Sequence, residues 1–213
     1  MSRVRVGQAI AVQAPLGVDL DQLQASGWEG VFGRPGLLVV EIGFGNGQAL
    51  EHMATERPQV NFVGIELYGK GIKSLSRRLE RRGIGNVRIL KAEALQALCL
   101  LFPRGEIAEV HVNFPDPWPK MRHHKRRLVG PHFPPVLFSR MAPGGKVFMA
   151  TDHDCYAYQM RTVFEAHPGF VNEAGPHRFI YHRRGRLRTK YEKKFAARGA
   201  RIRFLTYHRR AWA

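Results

Sequence analysis

Residues 37–42 (LLVVEI) form a short, almost unbroken run of branched apolar side chains, and three alternating glycines, Gly43, Gly45 and Gly47, follow at once. A run of this length without polar alternation reads as a strand buried on both faces, the position of a central strand in a parallel sheet. Residues 48–57 then carry helix formers, with Leu50, Met53 and Ala54 on one face and Pro58 just beyond the end. Strand, glycine turn and helix in that order commit the chain to an α/β architecture, because parallel strands need a long crossover and a helix is the usual one.

The same alternation continues. Residues 61–66, 87–90, 109–114 and 146–150 repeat the strand pattern. Ile72, Leu75 and Leu79 follow at helical spacing with Arg77, Arg78, Arg81 and Arg82 on the outer face, and helical patterns recur at 95–102, 136–141 and 156–167. A mostly parallel sheet with helices on both faces is expected. Residues 201–207 alternate polar and apolar side chains, which predicts an edge strand or hairpin closing the sheet. No repeat or linker divides the chain, so residues 1–35 are read as an N-terminal arm and 36–213 as one domain.

A chain of 213 residues with 44% apolar content can bury a core without disulfide or metal support. Cys99 and Cys155 form no Cys-x-x-Cys pair and are expected to be reduced and structural. The adjacent Asp152, His153, Asp154 and Cys155 cannot readily converge on one ion, so no metal site is expected. No apolar run approaches the roughly 20 residues of a membrane helix. Gly7, Gln8, Gln13 and Pro15 interrupt any signal-peptide core, and a cytoplasmic location is expected.

Charge narrows the partner. Thirty-four Lys and Arg against seventeen Asp and Glu leave +17, which predicts attraction to a polyanion, nucleic acid first. The charge is clustered: Lys120, Arg122, Lys125, Arg126 and Arg127 lie together, and between His177 and Arg210 thirteen cationic side chains meet a single acid, Glu192. Clustering favours a phosphate-binding face over diffuse solubilising charge.

The glycine turn identifies a ligand class. A dinucleotide-binding turn needs its third glycine where Gln48 stands, and a P-loop needs a Gly-Lys-Ser/Thr ending that is missing. Glu41, just before the glycines, repels phosphate but attracts the amino group or sulfonium of S-adenosylmethionine. Glu66 ends the second strand, where a carboxylate can accept ribose hydroxyls, and Glu93 follows the third strand, facing an adenine edge. Three acids at successive strand ends line the usual ligand side of such sheets.

After the fourth strand, Asn113, Phe114, Pro115, Asp116, Pro117, Trp118, Pro119 and Lys120 make a proline-stiffened loop that fixes Asp116 and Lys120 and runs into the first basic cluster. Thr151 and Asp152 end the fifth strand, either in the same ligand region or as a simple helix cap. Thr189, Lys190, Tyr191 and Glu192 set the lone acid of the basic tail among hydroxyl, cation and aromatic groups. Glu192 either relieves repulsion or accepts hydrogen bonds from guanine N1–H and its exocyclic amine.

With EIGFGNG at 41–47, GIEL at 64–67, NFPDPWPK at 113–120, TD at 151–152 and TKYE at 189–192, the chain resembles the bacterial tRNA (guanine-N7)-methyltransferase family from Trp28 to about Arg201. The resemblance implies a Rossmann-like class I fold with a seven-stranded sheet. It implies methyl transfer from S-adenosylmethionine to N7 of the variable-loop guanine, position 46, of tRNA, by a monomer or homodimer. It makes Glu41, Gly43, Gly45, Gly47, Glu66, Glu93 and Asp116 cofactor-binding, with Asp116 also the catalytic candidate. Lys120, Asp152, Thr189, Lys190, Tyr191 and Glu192 become substrate-binding, and Arg122, His123, His124, Lys125, Arg126 and Arg127 RNA-binding. Family members often carry Asp where this chain has Glu93. The rivals are methylation of another RNA atom, an RNA-binding protein that lost catalysis, and an NAD-linked oxidoreductase, which the glycine spacing disfavours.

Overall fold

The branched apolar runs become strands close to where they are expected: β1 (Leu38–Ile42), β2 (Asn61–Ile65), β3 (Val87–Leu90), β4 (Ile107–Asn113) and β5 (Met141–Thr151). The computed structural model describes residues 16–181, Glu192 and 201–211. Two compact units divide the chain, Met1–Leu101 and Phe102–Ala213. The seven strands form the mostly parallel sheet of the expected α/β class.

In the first unit β1, β2 and β3 run parallel in the order β3-β2-β1, with Leu38 opposite Asn61 and Phe62 opposite Val87. All ten residues of β1 and β2 are buried, which is why their sequences do not alternate. Helices α2 (Gln48–Glu56) and α3 (Gly69–Arg81) cover one face, packing Leu50, Ala54, Ile72, Leu75 and Leu79 against Val39, Phe62, Val87 and Ile89. Arg88 points the other way between Val87 and Ile89. It donates from Nη2 to the Val31 carbonyl and lies 4.9 Å from the Phe32 ring centroid. Those two residues belong to α1 (Leu20–Phe32), so helices flank both faces of these strands.

Helix α1 occupies the stretch expected as part of an arm. Asp19 caps it by accepting from the Asp21 and Gln22 amides, Gly27 kinks it at φ 63°, and Gly33 ends it at φ 68°. Trp28 and Val31 are buried, and Trp28 Nε1 donates to the Leu101 carbonyl at 3.0 Å, at the end of α4 (Ala94–Leu101).

The second unit has the order β4-β5-β7-β6. Strands β4 and β5 are parallel, while β7 (Arg203–Arg209) runs antiparallel to β5 and β6 (Phe170–Asn172) antiparallel to β7. Of the edge strand or hairpin expected at 201–207, the structure makes an interior strand antiparallel to both neighbours, and among the described residues the edge belongs to β6. Residues 203–207 are all buried despite their alternating sequence. Arg203 can be buried there because it forms an ion pair with Asp154. Helices α5 (Phe133–Arg140) and α6 (Asp154–Glu165) supply an aromatic core in which Phe164 lies 4.7 Å from Tyr207 and 5.1 Å from Phe170, centroid to centroid. Cys99 and Cys155 are exposed and form no disulfide.

The glycine turn is held from three sides. Gly43, Gly45 and Gly47 adopt φ 68°, 57° and 73°, a region that L side chains rarely enter. A Cβ on Gly71, in the first turn of α3, would lie 1.9 Å from the Gly45 carbonyl oxygen, so backbone touches backbone there. Arg78, two turns further along α3, donates to the Asn46 carbonyl at 2.6 Å and to Glu51 on α2 at 2.6 Å, and Arg82 reaches the other Glu51 oxygen at 2.8 Å. Burial pushes the Glu51 carboxyl up, but the hydrogen bonds and charges of Arg78 and Arg82 outweigh it and hold the group below the usual glutamate range.

Two outcomes test this brace. Gly71→Ala should lower stability by about 1–3 kcal/mol through overpacking, while Gly69→Ala, whose Cβ meets nothing within 4 Å, should be neutral or slightly stabilising; thermal denaturation compares them. Because the folded-state pKa of Glu51 is depressed, its stabilisation is complete above the unfolded glutamate value of about 4.3 and is lost as pH falls through the lower folded value. The stability gap between wild type and Glu51→Gln should accordingly be widest near neutrality and shrink below about pH 4 in urea titrations.

Candidate active site

In the first unit the acids expected at the strand ends sit at the C-terminal ends of three adjacent parallel strands. Glu41 is buried on β1 opposite Gly64, Glu66 follows the last residue of β2, and Glu93 lies three residues past β3. A buried carboxylate on a central strand is costly unless cations or donors meet it, so Glu41 is not there for packing.

Glu66 is fixed by the backbone. Its Oε2 accepts from the Gly45 amide at 2.7 Å, and its Oε1 accepts from Leu67 and Tyr68 at 2.7 and 2.9 Å. Three of its roughly four acceptor positions are thus used by backbone amides, and one remains. Glu93 is exposed and accepts from the Gln96 amide at 2.8 Å, capping the first turn of α4. Gly43 and Gly45 face open space where a Cβ would stand, so the turn presents bare backbone to whatever lies beside it.

Sequence reasoning missed Leu67 and Tyr68. They are 61% and 57% exposed directly after Glu66 and offer apolar surface beside the one remaining acceptor position. The available signal was two large apolar residues placed after the acid that ends a buried strand.

In the second unit the proline loop carries two non-glycine residues at positive φ, Phe114 at 52° and Trp118 at 43°. Each precedes a proline, a position biased towards extended backbone, so both conformations cost energy, about 1–2 kcal/mol apiece. Strain of this kind persists only where surroundings enforce it. Phe114 donates its amide to the Ala150 carbonyl at 2.8 Å, and Phe114 also packs against Ala150, Ile202 and Phe204.

Arg127 holds the far end. Its Nε donates to the Pro117 carbonyl at 2.7 Å, Nη1 to Gln159 at 2.7 Å, and Nη2 lies 2.9 Å from His124 Nε2, with the guanidinium 4.8 Å from the Tyr156 ring centroid. Burial, with a contribution from the Asp116 charge, pushes the Tyr156 phenol up to about 12, so it stays protonated and accepts from the Val129 amide at 2.9 Å. Asp116 and Lys120 are exposed on the loop so clamped.

The basic cluster forms a 3-10 turn, Met121–Arg126. Arg122, Lys125 and Arg126 are exposed and His123 and His124 half-buried, whereas Arg127 is buried and turned inward. Arg126 covers the Trp118 ring at 5.0 Å and His123 meets its edge at 5.8 Å. The alternative of Thr151 and Asp152 as helix cap is taken by neighbouring residues: His153 caps α6 by accepting from the Tyr156 amide, while the Thr151 hydroxyl accepts from the His153 amide. Asp152 is half-buried beside them. Glu192 is buried, and Thr189, Lys190 and Tyr191 lie outside the described residues. Among the described residues there is no cluster of metal-binding side chains and no helix long and apolar enough to cross a membrane.

Residues 35–205 match a family described as "Putative methyltransferase". A tRNA (guanine-N(7)-)-methyltransferase of Geobacter metallireducens is 38% identical over 203 residues, spanning 95% of this chain and 96% of the relative. The enzyme of that name from Methylococcus capsulatus is 43% identical over 190 residues, 89% of this chain and 82% of the relative. Among solved structures, the 16S rRNA methyltransferase KamB superposes with a TM-score of 0.64 at 16% identity, covering 87% of this chain and 94% of its own, a likeness of fold. Near-complete coverage at this identity, on a methyltransferase fold with acids at three successive strand ends, means that the chain belongs to the tRNA (guanine-N7)-methyltransferase family.

Proposed function

We propose that this protein transfers a methyl group from S-adenosylmethionine to N7 of the variable-loop guanine, position 46, of tRNA, leaving S-adenosylhomocysteine. The observation that carries the reading is the 38% identity to the Geobacter relative along almost the whole of both chains. The residues present fit the cofactor: a glycine turn whose missing side chains leave backbone exposed, and carboxylates suited to a cationic, phosphate-free ligand. Glu41, Gly43, Gly45, Gly47, Glu66, Glu93 and Asp116 would hold it, with Leu67 and Tyr68 as apolar neighbours. The protein is read as cytoplasmic, acting as a monomer or homodimer.

S-adenosylmethionine, when bound, supplies a methyl group on positively charged sulfur. Guanine N7 carries an in-plane lone pair, so no residue has to remove a proton first, and catalysis is chiefly positioning. Asp116, on a loop stiffened by three prolines and clamped by Arg127, holds a fixed negative charge for the positive charge that develops on the purine. Lys120, Asp152, Thr189, Lys190, Tyr191 and Glu192 orient the guanosine, with the Glu192 carboxylate accepting from N1–H and the exocyclic amine. Arg122, His123, His124, Lys125 and Arg126 meet phosphates, and Arg127 acts on them indirectly by fixing the loop.

Methyl transfer from labelled S-adenosylmethionine to unmodified tRNA, followed by digestion and nucleoside mass spectrometry, tests the reaction: label in 7-methylguanosine at position 46 supports it, and label in any other nucleoside sinks it. Asp116→Asn should lose about a hundredfold or more in kcat at saturating S-adenosylmethionine, the scale expected for removing one preorganised charge. Lys125→Ala and Arg126→Ala should each weaken tRNA binding and flatten its salt dependence by roughly 0.7–0.9 in log–log slope. Arg127→Ala should instead lower the melting temperature and leave that slope unchanged.

A further inference from the structure

Between α6 and β7 lies a surface in which tyrosine and phenylalanine rings interleave with arginines. Ile180 and Phe204 exchange two backbone hydrogen bonds, at 2.9 and 2.8 Å, so residues 179–181 lie antiparallel to the start of β7. Ile180, Ile202 and Phe204 point into the core, which turns Phe179, Tyr181, Arg201 and Arg203 to the other side of this ribbon. The Arg201 guanidinium sits 3.9 Å from the Tyr181 ring centroid, and Arg203 lies 5.9 Å from Phe179. Helix α6 extends the surface with Tyr158 and Arg161, three residues apart and hence on one helix face. Tyr158 meets Phe179 edge-on at 5.4 Å, and Arg161 lies 5.1 and 5.0 Å from those two rings while donating to the His177 carbonyl at 2.6 Å.

Packing alone does not account for this arrangement. Tyr158 is 50% exposed and Tyr181 is 37% exposed, so these rings keep open area that a core residue would bury. The acids in contact are accounted for: Asp154 pairs with Arg203, and Glu165 pairs with His177 at 2.8 Å and approaches Arg161 at 3.9 Å. With Arg161 beside Tyr158 and Phe179 and Arg201 over Tyr181, the surface is cationic as well as aromatic, the pairing that holds unpaired nucleotides, since bases stack on rings and guanidinium planes while phosphates meet the charge. Bases inside a duplex are already stacked on each other and cannot use such rings. In sequence the surface also joins two groups of substrate residues, with Asp152 immediately before α6 and Thr189, Lys190, Tyr191 and Glu192 after Tyr181.

We propose that Tyr158, Phe179 and Tyr181, with Arg161 and Arg201, form a stacking surface for unpaired bases of the substrate RNA, so that the protein selects looped over helical RNA. This rests on the tRNA reading above. Fluorescence anisotropy with the full chain, using unmodified tRNA and an RNA duplex of equal length at several salt concentrations, tests it. Tyr158→Ala and Tyr181→Ala should each weaken tRNA binding about tenfold with an unchanged salt slope, spare duplex binding, and be rescued by Phe. Arg201→Ala should weaken binding and also flatten the slope. Calorimetric binding of S-adenosylmethionine should be the same in all variants. Should Tyr158→Ala fail to fold, Tyr181→Ala decides alone. Unchanged tRNA affinity, or equal losses for tRNA and duplex, overturns the proposal. Altered sedimentation with intact tRNA binding also overturns it and makes the surface a protein contact. Failure of the wild type to bind tRNA at all defeats the underlying reading instead.

Discussion

The contact on which the first unit depends is the approach of α3 to the glycine turn, backbone against backbone, where Gly71 leaves no room for even one methyl group beside the Gly45 carbonyl. A turn of three left-handed glycines would be loose by itself, since glycine gives up more conformational entropy on folding than any other residue. Its rigidity is supplied from outside, by Arg78 on the Asn46 carbonyl, by Glu51 holding Arg78 and Arg82, and by Glu66 on the Gly45 amide. Glu66 therefore fixes the turn, and any ligand it held would compete for the same lone pairs.

A comparable economy governs the proline loop. Prolines remove backbone freedom, yet Phe114 and Trp118 hold left-handed conformations that the prolines after them disfavour, and the loop is secured by Arg127, which joins the Pro117 carbonyl, Gln159 and the Tyr156 ring. Six basic or imidazole side chains in a row look alike in sequence, yet one of them is an internal fastener. The tightness of the 3-10 turn, followed by extended backbone at Arg127, decides which.

The parallel core was legible because doubly buried strands leave a signature, unbroken branched apolar runs ended by glycine or acid, and β1, β2 and β3 fall within a residue of the expected positions. Helix α1 was not, because Gly27 and Gly30 interrupt its periodicity and its stability comes from Trp28 bonding to Leu101, seventy-three positions away. Strand β6 has three residues, too few to show any period. The alternation of 201–207 suggested a solvent-facing side that the structure fills, since Arg203 is neutralised by Asp154 and the remaining polar positions lie between two neighbouring strands. At the candidate site the identities of the acids were readable, but their bonding was not. That Glu66 is largely satisfied by amides and that Glu93 caps α4 depend on where the following helices begin.

Strand β7 enters the sheet between β5 and β6, although β6 comes first along the chain. Among the described residues, Phe170–Asn172 pairs within this sheet only with β7, with Asn172 opposite Tyr207 and Phe170 opposite Arg209, so it cannot dock until that later segment has been made and threaded into place. During synthesis on the ribosome the edge of β5 must therefore wait, exposed, for the later segment. A stall before residue 203 would leave an unpaired strand edge open to aggregation.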